Sequence, residues 1–305
     1  MNQTTIQSVQ NSLKDNLLHR VWLISDLQQS DINIARQCLT MATDDFSSLQ
    51  LECDQIWYLG DSVQGKDEDI LKQMVDMQIE LLQQFDTPLI FTAGNHEFDP
   101  HYQLHKENDP DKKDMKVISY EKFSQTPNWL SSQNISDCYF THKLGEYTLF
   151  FFPDHAHPRG DWITSGGAVH GHASQYPYNQ AYYQAISEEI KKVNGPVITA
   201  GHSAFAGGLR PSALMNQCLP LPKNVKAHFH GHCHIGDATW GGASCLRKYA
   251  TVDHQDIPQF DIAALENHRG DAVRSAVLEI YQDHTIAVYF RKHCSKHWDD
   301  LFFIN

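Results

Sequence analysis

The chain has 305 residues, a formal net charge of −13 and 41% apolar residues, so it can bury a core and is too apolar for a disordered polymer. Its seven cysteines lack CxxC spacing, which excludes a small disulfide scaffold and predicts reduced thiols. The negative charge disfavours long nucleic acids and anionic membranes as partners. No export signal or membrane-length apolar run is visible, so we expect a cytoplasmic location with no membrane partner.

Strand and helix patterns alternate over the first third of the chain, which is typical of βαβ units and a mainly parallel sheet. The pattern predicts strands at 21–25, 55–59 and 88–92 and helices over 31–46 and 69–84. Asp31 is a candidate N-cap for the first helix because its carboxylate can accept the free backbone N–H groups. The core stripe predicted for the second helix is Ile70, Met74, Met77 and Leu81.

The rest of the chain continues with further strands and one helix. The predicted elements are paired strands within 137–152, a helix over 181–193, strands at 196–200 and 225–229, and a closing antiparallel pair at 276–281 and 285–290. The charged segment 101–116 is interpreted as a surface excursion. Neither repeats nor linkers are visible, so we expect one domain over 1–305, with its motifs in 21–236 and its closing strands and tail in 276–305.

A polar cluster follows the end of each of five predicted strands, and in α/β sheets the carboxyl ends of strands carry the chemistry. The candidate site residues are Asp26, Gln28, Asp61, Asn95, His96, His202, His232 and His234. Carboxylates, amides and imidazoles in this number are the ligands that two adjacent divalent cations require. One ligand must then touch both ions, and the carboxylate of Asp61, central in the series, is the best candidate for that bridge.

In chain order, the motifs are DLQ at 26, GD at 60, GNHE at 94, GH at 201 and GHCH at 231. Together they resemble the calcineurin-like metallophosphoesterase superfamily, over about two thirds of the chain. The resemblance implies an α/β fold, a four-layer αββα sandwich with two mixed sheets. It also implies two divalent or transition metal ions, of Mn, Fe, Zn or Mg, and a small phosphorylated substrate.

The resemblance also implies a role for each motif residue. The first metal would be held by Asp26, Asp61 and His234. The second metal would be held by Asp61, Asn95, His202 and His232. His96 would stand beside the substrate and donate a hydrogen bond or proton to the leaving oxygen. The residues themselves agree, because adjacent Asn95 and His96 cannot easily both face one ion and a general acid is otherwise missing.

Position 28 departs from the family pattern, since Gln28 stands where members usually have a metal-binding histidine. An amide oxygen is a weaker ligand than imidazole, so the first metal would be held more loosely or be a harder ion such as Mn²⁺ or Mg²⁺. Gln28 is either a direct ligand or an amide that orients Asp26. The D-x-Q variant resembles the manganese-dependent branch that acts on ADP-ribose and CDP-alcohols.

The function expected from the resemblance is hydrolysis of a phosphodiester or pyrophosphate bond in a small nucleotide-like molecule by a metal-bound hydroxide. The alternatives are a phosphomonoesterase of the same fold and a non-catalytic scaffold without metals. A serine hydrolase is disfavoured because Phe205 replaces the glycine that a nucleophile elbow needs after Ser203. A protein phosphatase is disfavoured because the stretch after Asp61 lacks the phosphate-clamping arginine of that branch.

Loop residues supply further candidates for substrate binding. Arg159 and Arg210 lie in expected loops and are the best-placed cations for a second phosphate. His157 belongs to a histidine-rich stretch, 153–179, that we interpret as a polar loop, with a lid or a third metal site as the alternative. The sequence leaves the oligomeric state open.

The sequence leaves two interpretations open for each of two polar residues. Glu97 either supports the metal centre from behind its ligands or is a solvated charge that opens a loop. His293 lies outside the motifs and is expected to face solvent or to pack against Trp298.

Overall fold

The computed structural model describes residues 13–65, 67–97, 102–105, 115–118, 135, 139–152, 180–205, 221–234, 247–252, 255–267 and 273–304. Its helices are α1 Ile32–Ser48, α2 Glu68–Gln83 and α3 Gln180–Lys191, with 3-10 turns at Lys14–Asn16 and His293–Ser295. Its strands are β1 Leu17–Ile24, β2 Gln55–Leu59, β3 Leu89–Thr92, β4 Tyr102–His105, β5 Met115–Ile118, β6 Phe140–Leu144, β7 Tyr147–Phe152, β8 Val197–Gly201, β9 Val225–His230, β10 Arg247–Val252, β11 Gln255–Asp261, β12 Arg274–Tyr281, β13 Ile286–Lys292 and β14 His297–Ile304. No helix among these residues is long and apolar enough to cross a bilayer.

Two six-stranded mixed sheets carry the fold, as expected. The first has the order β14-β13-β12-β1-β2-β3, and the second has the order β10-β11-β9-β8-β7-β6. In the first, β1, β2 and β3 run parallel, and β12 to β14 extend the sheet antiparallel beyond β1. In the second, β7, β8, β9 and β11 run parallel between antiparallel edge strands. Strands β4 and β5 pair separately; β4 lies within the predicted surface excursion, and β5 extends two residues past its end.

Alternating side chains separate the core into three apolar layers. On β1, Val21 and Leu23 face the second sheet, whereas Trp22 and Ile24 pack with α1 and α2. On β7, Leu149 and Phe151 join the layer between the sheets, whereas Phe150 and Phe152 pack with Ile186 and Ile190 of α3. Because successive residues of a strand point to opposite faces, a sheet that is apolar on both faces must be covered on both. The layers therefore stack as helix, sheet, sheet, helix.

The N-caps of α1 and α2 are aspartates. The Asp31 carboxylate accepts hydrogen bonds from the backbone N–H groups of Asn33 and Ile34, at 2.8 and 3.2 Å, as predicted. Asp67 caps α2 in the same way, accepting from the N–H groups of Asp69 and Ile70 at 3.1 and 3.2 Å. Each cap fixes where the chain leaves its strand-end loop and enters the helix.

The core stripe of α2 differs from the prediction at Ile70, which is 47% exposed. The buried face is made by Leu71, Met74, Val75, Met77, Gln78 and Leu82. Gln78 lies within this face because its side-chain amide donates to the Ser62 carbonyl, at 3.0 Å. A stripe chosen from apolar residues alone leaves out Gln78 and includes Ile70. The predicted face is therefore rotated away from the buried face of the helix.

A buried ionic network ties α1 to the first sheet. The Asp45 carboxylate accepts from Nε and Nη2 of Arg291, each at 2.8 Å, and from Nδ1 of His293 at 2.8 Å. The Nε2 atom of His293 contacts the Ser275 hydroxyl, which also accepts from the Trp22 indole. Burial acts to raise the pKa of Asp45, but Arg291 and His293 outweigh it and hold that pKa well below its usual range. His293 is fully buried and its ring packs edge-on against Trp22, so the expectation that it faces solvent is wrong.

We expect Arg291→Met to lower the free energy of unfolding by about 3 kcal/mol, because it leaves the buried Asp45 carboxylate short of its strongest partner. Chemical denaturation of the metal-free protein measures this loss. The matched control is Lys72→Met, which removes an exposed ion pair with Asp76 and should cost less than about 1 kcal/mol. Equal losses for the two variants would contradict the assignment of the network as a structural tie.

Candidate metal centre

The predicted site residues converge where the two sheets face each other at the carboxyl ends of their parallel strands. Asp26 and Asp61 follow β1 and β2, and Asn95 follows β3. His202 follows β8 and His232 follows β9 of the other sheet. All five are buried, with at most 8% of each residue exposed. The site is therefore a junction between the sheets, built from both of them.

The backbone turns sharply at several of these residues. Positive φ angles occur at Asp26 (55°), Asp61 (50°), His232 (72°) and His234 (50°). Such angles are uncommon for residues with a side chain, cost of order 1–3 kcal/mol each and cluster at functional sites. The turns are held by backbone hydrogen bonds from Asp26 N to Gly60 O, at 3.0 Å, and from Gln28 N to Asp61 O, at 2.9 Å. They hold the loops that carry these side chains in place after each strand.

Two sets of donor atoms lie close enough together to hold an ion each. The first donor group comprises Asp26, Asp61 and His234, and the second comprises Asp61, His202 and His232. In the first, His234 Nε2 is 3.1 Å from Asp26 Oδ1. In the second, His202 Nε2 is 3.0 Å from Asp61 Oδ2 and 3.2 Å from His232 Nδ1. Asp61 belongs to both groups, as a carboxylate that bridges two ions must.

The orientation of His202 fits a cation in the second donor group. Its Nδ1 lies 2.8 Å from the carbonyl oxygen of Leu59, and a carbonyl can only accept, so Nδ1 carries the proton. In the neutral ring, the lone pair of Nε2 then faces a carboxylate oxygen of Asp61 and a ring nitrogen of His232. Either a proton on Nε2 or a metal cation must therefore lie between these atoms. A divalent cation meets this requirement, and the donor set fits one.

Burial and neighbouring charges move the two carboxylates in opposite directions. Burial raises the pKa of Asp26, against the lowering effect of His234 and His202. Burial acts on Asp61 in the same sense, but in the metal-free site the positive charges of protonated His202, His96 and His232 outweigh it and hold the pKa of Asp61 well below its usual range. Of these two carboxylates, Asp61 is therefore the one whose anionic form is more strongly favoured.

Glu97 anchors the backbone of the centre. It is fully buried and accepts from the N–H groups of Asp61 and Gly94, at 2.9 and 2.6 Å, and from both the N–H and the hydroxyl of Ser62, at 2.6 and 2.7 Å. Burial and the charge of Asp61 raise the pKa of Glu97 to about 7. The interpretation as a solvated charge is wrong, because Glu97 joins the GD loop to the GNHE loop behind the donor atoms.

His96 and Gln28 stand together beside the donor groups. The backbone N–H of His96 donates to Asp61 Oδ1 at 2.8 Å, while its Nε2 lies 3.9 Å from Asp61 Oδ2. The His96 side chain is 12% exposed, more than the aspartates beside it. The Gln28 side-chain amide contacts His96 Nε2. Ligation by Gln28 and Asn95, and proton donation by His96, stay predictions.

A family model described as calcineurin-like phosphoesterase matches residues 19–236, well over half of the chain. The chain belongs to the calcineurin-like phosphoesterase family. As a member, it is a metal-dependent phosphoric ester hydrolase. No curated protein sequence matches it.

The solved structures that share the fold of this family member include two phosphatases. A dimetal phosphatase from Danio rerio is 13% identical, with a TM-score of 0.60, and the match covers 95% of this chain and 99% of that one. A purple acid phosphatase, PPD1, from yellow lupin (Lupinus luteus) seeds is 12% identical, with a TM-score of 0.52, covering 93% of this chain and 53% of that one. At these identities, the likeness concerns the fold alone.

The structure also places two acidic residues at the phosphoesterase centre that the motifs do not indicate. Asp261 ends β11, and its carboxylate accepts from Cys233 N at 3.3 Å and from Ala263 N at 2.9 Å. Burial raises the pKa of Asp261 to about 7. Glu266 contacts His234. The run FDI at 260–262, an acid among apolar residues, is the one signal that could have pointed to Asp261.

The weaker substrate-binding candidates, His157, Arg159 and Arg210, lie outside the residues that the structure describes.

We expect Gly231→Ala to weaken Mn²⁺ binding at least about tenfold. A Cβ atom at Gly231 would lie 2.1 Å from Ser25 Oγ and 2.2 Å from Asp26 Oδ2, so the first donor group has to shift. Mn²⁺ titration of the metal-free protein measures the effect.

Gly195→Ala is the control for this variant. Its added Cβ meets nothing closer than the Glu146 carbonyl oxygen at 3.7 Å, although its φ of 114° makes the substitution strained. It should destabilise the fold and leave Mn²⁺ binding unchanged. If Gly231→Ala bound Mn²⁺ as tightly as wild type, Asp26 would not be a metal ligand in the conformation described.

Proposed function

We propose that this phosphoesterase hydrolyses a phosphodiester or pyrophosphate bond in a small nucleotide-like molecule. The observation that carries the proposal is the pair of donor groups sharing Asp61, because two adjacent ions bind and activate phosphoryl groups. When bound, two divalent ions neutralise charge at the phosphoryl group and lower the pKa of a water molecule. The residues that would hold them are those assigned above, and among Mn, Fe, Zn and Mg the D-x-Q variant favours Mn²⁺.

The charge of the chain supports a small substrate. A formal net charge of −13 repels a long polyanion at the outer surface. At the centre, two divalent ions would outweigh the charges of Asp26 and Asp61, so a single phosphate or pyrophosphate is attracted locally. The D-x-Q variant at Gln28 supports a nucleoside diphosphate derivative, through its resemblance to the branch that acts on ADP-ribose and CDP-alcohols.

His96 is the residue we assign to the leaving group. Its backbone N–H donates to Asp61 Oδ1, and its ring, which is 12% exposed, has Nε2 3.9 Å from the second carboxylate oxygen of Asp61. A ring in this position can donate a proton to a departing oxygen. General acid catalysis of this kind typically contributes 10²–10⁴-fold.

A substrate panel tests the bond type. The Mn²⁺-supplemented protein is assayed against bis-p-nitrophenyl phosphate, p-nitrophenyl phosphate, cyclic nucleotides and nucleoside diphosphate derivatives such as ADP-ribose. We expect kcat/KM for a diester or a diphosphate to exceed that for the monoester at least about tenfold, a transition-state difference of about 1.4 kcal/mol. A preference for p-nitrophenyl phosphate would instead identify a phosphomonoesterase. If the protein showed neither turnover nor bound metal, it would be a non-catalytic scaffold.

His96→Ala should reduce kcat by about 10²-fold or more on substrates with an alkyl leaving group. The loss should be smaller on bis-p-nitrophenyl phosphate, because p-nitrophenolate departs with little need of a proton. His284→Ala, at an exposed histidine in the β12–β13 turn, is the control and should leave kcat unchanged. Equal losses on both kinds of leaving group would remove His96 from the role of general acid.

A further inference from the structure

Glu266 is a buried acid whose side chain contacts a residue of the first donor group. Its Oε1 lies 2.5 Å from Nδ1 of His234, and only 2% of the residue is exposed. On the opposite side of the ring, His234 Nε2 faces Asp26 Oδ1 at 3.1 Å. The three side chains therefore form a line that runs from Glu266 through the imidazole to Asp26.

The segment that carries Glu266 is fixed by both sheets. After β11, Ile262 N donates to His230 O at 2.8 Å, and Leu265 N donates to Ser25 O at 3.0 Å. One bond ties the segment to β9, which leads to His234, and the other ties it to the end of β1, which leads to Asp26. Glu266 is thereby held at a fixed distance from both residues.

The contact selects one tautomer of His234. An ionised carboxylate can only accept, so the proton of the ring lies on Nδ1, and the lone pair of Nε2 points at Asp26. An imidazole in this state is a metal ligand, and a carboxylate on its far nitrogen fixes the ring and raises its basicity.

Two of the three candidate ligand histidines, His202 and His234, have partners that differ in charge. His202, in the second donor group, is held by the neutral carbonyl of Leu59, whereas His234 is held by the carboxylate of Glu266. The first donor group is also the one in which Gln28 would offer a neutral amide. A more basic His234, with a negative charge behind it, strengthens the side of the centre that has the weaker ligand.

We propose that Glu266 is a positioning residue that sets the affinity of the first metal site through His234. This inference rests on the proposed two-metal function. Partners of ligand histidines typically contribute 10–100-fold in metal affinity. Glu266→Gln keeps an oxygen that can accept from Nδ1 but removes the charge, whereas Glu266→Ala removes both.

The test is a Mn²⁺ titration of the metal-free protein, with free Mn²⁺ followed by electron paramagnetic resonance. Wild type should bind two Mn²⁺. Glu266→Gln should weaken one of the two sites about tenfold and Glu266→Ala about 100-fold, with the other site changed less than about threefold. Thermal unfolding of the metal-free variants reports separately on the fold.

Glu279→Gln is the matched control, because Glu279 is equally buried and pairs with Arg20, outside both donor groups. It should lower the unfolding temperature and leave both Mn²⁺ affinities unchanged. If wild type binds two ions and Glu266→Ala binds them equally well, the inference is overturned while the proposed function stands. A parallel weakening of both sites with a loss of fold stability would also overturn it, and a wild type that binds no Mn²⁺ would overturn the proposed function as well.

Discussion

The constraint on which this structure depends is the burial of a carboxylate, Asp61, where the two sheets meet. Its backbone N–H donates to Glu97 and its carbonyl accepts from Gln28. Its side-chain oxygens face the N–H of His96 and the ring of His202. A buried anion is costly unless it is paired and hydrogen-bonded. The described loops that follow β1, β3 and β8 each supply Asp61 with such a partner.

This constraint explains why the loops carry glycine at fixed places. A Cβ at Gly94 would lie 2.4 Å from Asp61 Oδ1, and one at Gly60 would lie 2.5 Å from Gly94 N. The loops after β2 and β3 are therefore in direct contact. Neither glycine has room for a Cβ atom. That contact lets Glu97 reach both loops and hold them together. The GD and GNHE motifs thus act as one structural unit, although 33 residues of chain separate their glycines in the printed sequence.

Local patterns in the sequence predicted the strands that lead to the centre, and strand β2 was predicted at its observed bounds. The donor residues could be selected because their motifs follow strand ends, where topology brings them together. Strands β10, β11 and β14 were missed, since their sequences carry no alternation strong enough to separate them from loops. The role of Glu266 could not be predicted from the sequence for the same reason. It meets His234 only because β11 pairs with β9, and nothing local to Glu266 encodes that pairing.

Strand β9 shows why the number of histidines does not measure the capacity for metal. His228 and His230 lie within the strand, where burial lowers their pKa values to about 3 and about 4 and keeps them neutral. The ring nitrogens of His228 are taken up by Thr199 Oγ1 and the Ser203 carbonyl. His232 and His234 follow the end of the strand at positive φ and belong to the donor groups. The positive φ angles at His232 and His234, rather than the residue type, divide packing histidines from candidate ligands.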